Sequence, residues 1–163
     1  MLEPPRFDLT QLDPEAYRHL TQLEGLIARH VDPTLYHLIK LRASQINGCA
    51  FCLQMHTAEA LKHGETPERM VALDGWHESP LYTDRERAVL AWTDELTLIA
   101  ESHASSEAFE ALKPHFSEEE IGWLVLAAVQ INSWNRIAIS TRARFDPKMF
   151  APAPAAEKPL QHA

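Results

Sequence analysis

Cysteine is scarce in this chain of 163 residues, which contains only Cys49 and Cys52. With one pair, three positions apart, no disulfide can join distant parts of the fold. A bridge between the two would close a very small loop and would constrain the unfolded chain little. We therefore expect any bridge here to serve chemistry and not architecture.

Glycine and strand signals are also few. The chain has five glycines and no alternating apolar runs bounded by turn dipeptides, so a sheet is not indicated. Apolar residues instead recur at three- and four-residue spacing along most of the sequence, which is typical of amphipathic helices. The pattern predicts an all-α fold, a packed orthogonal or bundle-like helical domain.

Long apolar runs and basic stripes are missing as well. The most apolar stretch, Ile121–Ile131, is too short for a bilayer, which needs about 20 apolar residues, and predicts a buried helix. The net charge of −8 and the scattered Lys and Arg residues argue against nucleic acid as a partner. The first residues lack the basic, then apolar pattern of a secretory signal. We expect a cytoplasmic protein that binds neither membrane nor nucleic acid.

Caps and prolines predict where the helices begin and end. Asp–Pro pairs precede two helices, and Ser/Thr residues with Glu three positions later form two capping boxes. The predicted helices cover about residues 14–27, 33–46, 49–62, 67–73, 84–99 and 118–140, with a shorter one from Ser106. One domain is predicted over residues 1–148. Residues 149–163, which are rich in Pro and Ala without periodicity, are predicted to be a disordered tail.

The stretch QINGCAFCLQMH, residues 45–56, carries the candidate chemistry. A helix that starts at the first cysteine aligns Cys49, Cys52, His56, Glu59 and His63 on one face. The helix N-terminus favours a thiolate at Cys49, whereas the imidazole one turn away favours deprotonation of Cys52, so either can attack first. The other thiol then closes a disulfide, which an external dithiol must reduce. Glu59 and His63 are expected on a solvated face, with His63 at the rim of the site.

Two other interpretations of this stretch stay open. A zinc site would use Cys49, Cys52 and His56, with His37 or His63 completing the set, but no second cysteine pair is available. Alternatively, both thiols are buried core residues, since free cysteine is among the most buried residue types.

Three segments together resemble a known family: LIKLRASQINGCAFCLQMH, RERAVLAWTDELT and INSWNRIAIS. They are similar to the alkylhydroperoxidase D-like branch of the carboxymuconolactone decarboxylase family, over roughly residues 15–142. That branch is all-α, forms oligomers that are often trimers or hexamers, and reduces peroxides with thiols. Its motif is a glutamate, eleven residues, a cysteine, two residues, a cysteine, three residues and a histidine. Cys49, Cys52 and His56 match the last three positions.

The resemblance implies a role for each matched residue. Cys52 attacks the hydroperoxide, Cys49 resolves the product to a disulfide, and a dithiol protein of the lipoyl or thioredoxin type reduces it, without metal, flavin or other cofactor. His37 stands where the family has its glutamate. Either His37 itself relays protons, or Glu86 supplies the missing carboxylate; the other role of Glu86 is a capping box with Thr83.

We therefore predict an oxidoreductase, a homo-oligomeric thiol peroxidase with antioxidant activity on alkyl hydroperoxides. One alternative is a lyase like the muconolactone decarboxylase of the same family, which works without cofactor and without a CxxC pair. The presence of both thiols argues against it. The other alternative is a non-catalytic helical oligomer in which the CxxC pair senses redox state.

Overall fold

A computed structural model describes residues 3–146, and in that range the chain forms helices, turns and loops without a strand. The all-α prediction is confirmed. The helices are α1 (Leu9–Leu12), α2 (Pro14–Ile27), α3 (Pro33–Asn47), α4 (Ala50–Lys62), α5 (Pro67–Ala72), α6 (Asp84–Thr97), α7 (Ile99–Ser102), α8 (Ser106–Leu112) and α9 (Glu118–Thr141), with a 3₁₀ turn at Leu73–Gly75.

The predicted caps begin the helices as expected. The side chains of Asp13 and Asp32 accept hydrogen bonds from backbone amides in the first turns of α2 and α3, just ahead of the first-turn prolines. Thr83 and Ser117 form complete capping boxes at the starts of α6 and α9. Local side-chain chemistry therefore sets these four helix starts.

Two short helices, α1 and α7, were not predicted, because four residues are too few to show a period. The second has a consequence for the core. Ile99 was expected on the buried face of α6, but the helix ends at Thr97 and Leu98 takes a non-helical conformation. Ile99 thus begins α7 and is 51% exposed, so that expectation is wrong.

Helix α3 lies at the centre and packs against α4, α6 and α9. Its apolar side chains, among them Leu35, Ile39 and Ala43, join the main core with residues of α6, α8 and α9. A second cluster, which includes Leu38, Leu73 and Leu90, lies where α3 meets the 3₁₀ turn and α6. Because α3 is surrounded in this way, several of its polar side chains are buried, namely His37, Lys40 and Ser44.

A tight turn joins α3 to α4. Gly48 adopts a left-handed conformation with φ +68°, which glycine enters without steric cost. The amide of Cys49 then donates to the Ser44 carbonyl oxygen at 3.0 Å. The two helices run antiparallel, since Lys40 pairs with Glu59. This α3–α4 hairpin carries the candidate site.

The first described residues lie beside the end of α9. The amide of Arg6 donates to the Thr141 carbonyl oxygen at 2.9 Å, and Glu3 forms an ion pair with Arg142. Over residues 3–146, no helix combines the length and the apolar character that crossing a membrane requires. The predicted domain end at 148 and the predicted tail 149–163 lie outside the described residues.

Candidate active site

The two cysteines form a disulfide at the start of α4, with their Cα atoms 5.3 Å apart. Cys49 is the N-cap, because α4 begins at Ala50, one residue after the predicted start, and the Cys49 Sγ accepts a 3.3 Å hydrogen bond from the Cys52 amide. Both residues are 1% exposed and pack against Ala138 of α9 and Phe51. A thiolate formed at Cys49 in the reduced protein would lie at the partly positive end of the helix.

His56 lies one helical turn after Cys52 and is buried. Its Nδ1 atom is 2.8 Å from the Glu59 carboxylate, while its Nε2 atom is buried without a hydrogen-bond partner among the described residues. Because a carboxylate only accepts, the imidazole carries its proton on Nδ1 and keeps the lone pair on Nε2. This arrangement leaves an unused proton acceptor on the same helix face as Cys52.

Glu59 does not lie on an ordinary solvated face, as the sequence had suggested. Its Oε2 atom accepts from His56 and also from the Lys40 ammonium, at 2.9 Å. The neighbouring helix causes the difference, because packing of α3 on α4 brings Lys40 against the stripe and leaves the Glu59 side chain 32% exposed. The expectation for Glu59 is therefore wrong.

The charges of this cluster fix its protonation states. Burial alone would raise the pKa of Glu59, but the hydrogen bond from His56 and the charge of Lys40 lower that pKa to about 2. Burial and the Lys40 charge lower the pKa of His56 below its usual value, against the opposing effect of Glu59. At neutral pH the cluster therefore holds an ionised carboxylate and an uncharged imidazole.

His37, which occupies the position of the family glutamate, is buried on α3, and no hydrogen bond to its Nδ1 atom is found among the described residues. Its ring is 4.9 Å from that of His63, which is exposed at the C-terminal end of α4. The two rings help line a cavity of about 250 Å³. Burial and the charges of Lys40 and His63 lower the pKa of His37 to about 4. His37 therefore interacts electrostatically with Lys40, Glu59 and His56 but is not hydrogen-bonded to them.

Glu86 lies in the first turn of α6 and not on the α3–α4 hairpin. Its carboxylate accepts from the Thr83 amide at 2.8 Å, which completes the capping box, and from Arg69 at 2.6 Å. These bonds, against the effect of burial, lower its pKa. The structure thus gives Glu86 the capping role and places it on the same cavity as His37, without a bond to His56.

Beside the cluster lies a second group of polar side chains, buried or partly buried, that sequence reasoning did not identify. The Tyr36 hydroxyl donates to Glu24 at 2.5 Å, and the Trp134 indole donates to the other oxygen of Glu24 at 3.0 Å. Burial and Glu24 raise the pKa of Tyr36. Lys40 also was not identified from the sequence, although one signal was available: it is a charged residue within the otherwise apolar run LIKL.

No three His, Cys, Asp or Glu side chains within residues 3–146 are arranged to hold a metal ion. A disulfide at a helix start is followed one turn later by a buried imidazole, which is hydrogen-bonded to a carboxylate. This geometry is that of a helical protein with a CxxC pair. The sequence profile of the carboxymuconolactone decarboxylase family matches residues 14–95. The chain belongs to this family.

Relatives agree with this assignment. The uncharacterized protein YdfG of Bacillus subtilis is 38% identical over 136 residues, which cover 83% of this chain and 92% of that protein. A solved structure of a protein of unknown function from Agrobacterium tumefaciens, whose name suggests an antioxidant defence role of the AhpD type, is 42% identical with a TM-score of 0.85. The match covers 88% of this chain and 99% of that one.

A more distant structure shares the fold. The alkylhydroperoxidase AhpD core of a peroxidase-related protein from Ralstonia eutropha has a TM-score of 0.75 at 19% identity, over 86% of this chain and 76% of that one. At this identity the likeness extends to the fold alone.

Proposed function

We propose that the protein is a thiol-dependent peroxidase that reduces alkyl hydroperoxides through a Cys49–Cys52 dithiol/disulfide cycle. The observation that carries the proposal is the redox pair at the start of α4, followed by a buried imidazole whose Nε2 is a free acceptor. The name of the related Agrobacterium tumefaciens protein favours the same chemistry.

The reaction balances with the groups present. The Cys52 thiol gives its proton to His56 Nε2, and the thiolate attacks the terminal peroxide oxygen. The O–O bond breaks, the imidazolium protonates the leaving alkoxide, and Cys52 becomes a sulfenic acid. The Cys49 thiol attacks that sulfur, so that water leaves and the disulfide forms. Two electrons and two protons from an external dithiol restore both thiols.

Three further features belong to this proposal. The dithiol comes from a lipoyl or thioredoxin-like protein, and the enzyme acts in the cytoplasm as a homo-oligomer, a trimer or a hexamer. Exposed Leu126 and Val129 on α9 support the oligomer, because they give this helix an apolar outer surface. Light scattering of the purified protein measures the subunit number.

The test is consumption of tert-butyl hydroperoxide with dithiothreitol as reductant. Cys52→Ser is expected to abolish turnover, since serine is a far weaker nucleophile. Cys49→Ser is the matched control: without dithiothreitol it should still consume one peroxide per chain and form a sulfenic acid that a dimedone probe traps. Equal turnover by Cys52→Ser and the parent protein would refute the proposal.

The alternatives predict other outcomes. A decarboxylase would release carbon dioxide from a muconolactone even after both cysteines are replaced. A redox sensor would oxidise once and change its assembly without sustained turnover.

A further inference from the structure

Lys40 is a buried lysine on α3 whose side chain is only 7% exposed. Its ammonium is 2.9 Å from Glu59 Oε2 and lies 4.5 Å from the centroid of the Tyr36 ring. A charge removed from water in this way is costly unless it is paired. Its pairing with Glu59 sets it beside His56, because His56 Nδ1 bonds to the same oxygen atom.

The charged and titratable groups around His56 come from three helices. Glu59 is on α4, Lys40 and His37 are on α3, and Glu24 is on α2. Both carboxylates favour a protonated His56, whereas the Lys40 ammonium opposes it. Burial also opposes protonation, and Lys40 adds to that effect against the two carboxylates.

We propose that Lys40 is a positioning residue that keeps His56 uncharged, with its proton on Nδ1 and a free lone pair on Nε2. Lys40 acts through the shared oxygen of Glu59: it keeps the carboxylate ionised and oriented toward Nδ1, and its own charge prevents the imidazole from taking a proton from solvent. The inference rests on the proposed function only for the source of the proton that Nε2 accepts, namely Cys52.

The consequence for the thiols is direct. An imidazolium has no lone pair, so a histidine that is already charged cannot take the proton of the Cys52 thiol. With Lys40 in place, proton transfer from thiol to imidazole creates the thiolate and the imidazolium together. Without it, the imidazole binds a proton from solvent more readily, so that fewer molecules keep the free lone pair on Nε2.

The experiment follows the ¹⁵N–¹H signals of the His56 ring by NMR against pH in the disulfide form, assigned with His56→Gln. The parent protein should show a His56 midpoint below 6.5. Lys40→Met should raise the midpoint by about one to two pH units, the size expected for loss of a charge at this range. Lys40→Arg, which restores the positive charge, should return it close to the parent value. Lys113→Met, which breaks the exposed ion pair with Glu110, should leave it unchanged.

Unfolding does not obscure the result, because the disulfide form is measured only at temperatures where each variant gives a folded spectrum, and Lys40→Arg supplies a second reading. A midpoint that stays the same in Lys40→Met overturns the inference, whatever the peroxide assay shows. A midpoint that rises in Lys40→Met and returns in Lys40→Arg supports it even if the parent protein proves unable to reduce peroxides.

Discussion

Replacing Glu59 by glutamine tests whether the carboxylate found in the structure orients His56. The substitution keeps the size of the side chain but removes the charge at the oxygen shared by His56 and Lys40. A hydrogen bond to a charged group contributes about 1.5–3 kcal/mol. With part of the Glu59 side chain in water, the lower end of that range applies. We therefore expect peroxide reduction to slow by about 10-fold.

The assay is the second-order rate of tert-butyl hydroperoxide loss at saturating dithiothreitol, measured from pH 5 to pH 9. Glu86→Gln is the matched control, since Glu86 also carries an ion pair but contacts Arg69 and Thr83 instead of His56. We expect this control to lower stability and to leave the rate per folded molecule near that of the parent protein. A parent-like rate for Glu59→Gln, or an equal loss in both variants, would show that the argument is wrong.

Two further predictions concern stability. His37 has a pKa of about 4 in the folded protein, against an ordinary value of 6.5, so it binds a proton more readily in the unfolded chain. The free energy of unfolding therefore decreases as pH falls from 6.5 to 4. Chemical denaturation across this range should show an acid loss smaller by about 3 kcal/mol in His37→Gln, and parallel curves would contradict this. In thermal melts, Gly48→Ala should cost about 1 kcal/mol at its positive φ, whereas Gly122→Ala, within α9, should stabilise the protein by about 0.5–1 kcal/mol. Equal shifts in the two alanine variants would refute the role of the turn.

The sequence was sufficient for most of the fold because the signals are local. An aspartate before a proline, or a threonine with a glutamate three positions later, satisfies amides of its own helix, and these caps lie where they were predicted. The break at Leu98 was missed because Ile99 fits the helical period of α6. Spacing alone cannot distinguish a helix that continues from one that ends and restarts.

The candidate site was also predicted only in part: relations within one helix could be found from the sequence, and contacts between helices could not. Cys52 and His56 share α4 and Cys49 caps it, so their spacing was enough to predict that they lie near one another. The partnership of Lys40 with Glu59 depends on how α3 packs against α4, across 19 positions of sequence. Glu86 was considered as a carboxylate for the site because of its segment, but its partners lie at the start of its own helix and on Arg69.

The turn at Gly48 has a consequence for how this region can vary. Only two residues separate α3 from α4, so the rotation of α4 about its axis is fixed relative to α3. In this orientation Lys40 contacts Glu59 and His37 contacts His63. One inserted residue in the turn would rotate α4 by about 100° about its axis. Both of these pairs between α3 and α4 would then separate at once, although each helix remained intact. This junction can accept a changed side chain far more easily than a changed length.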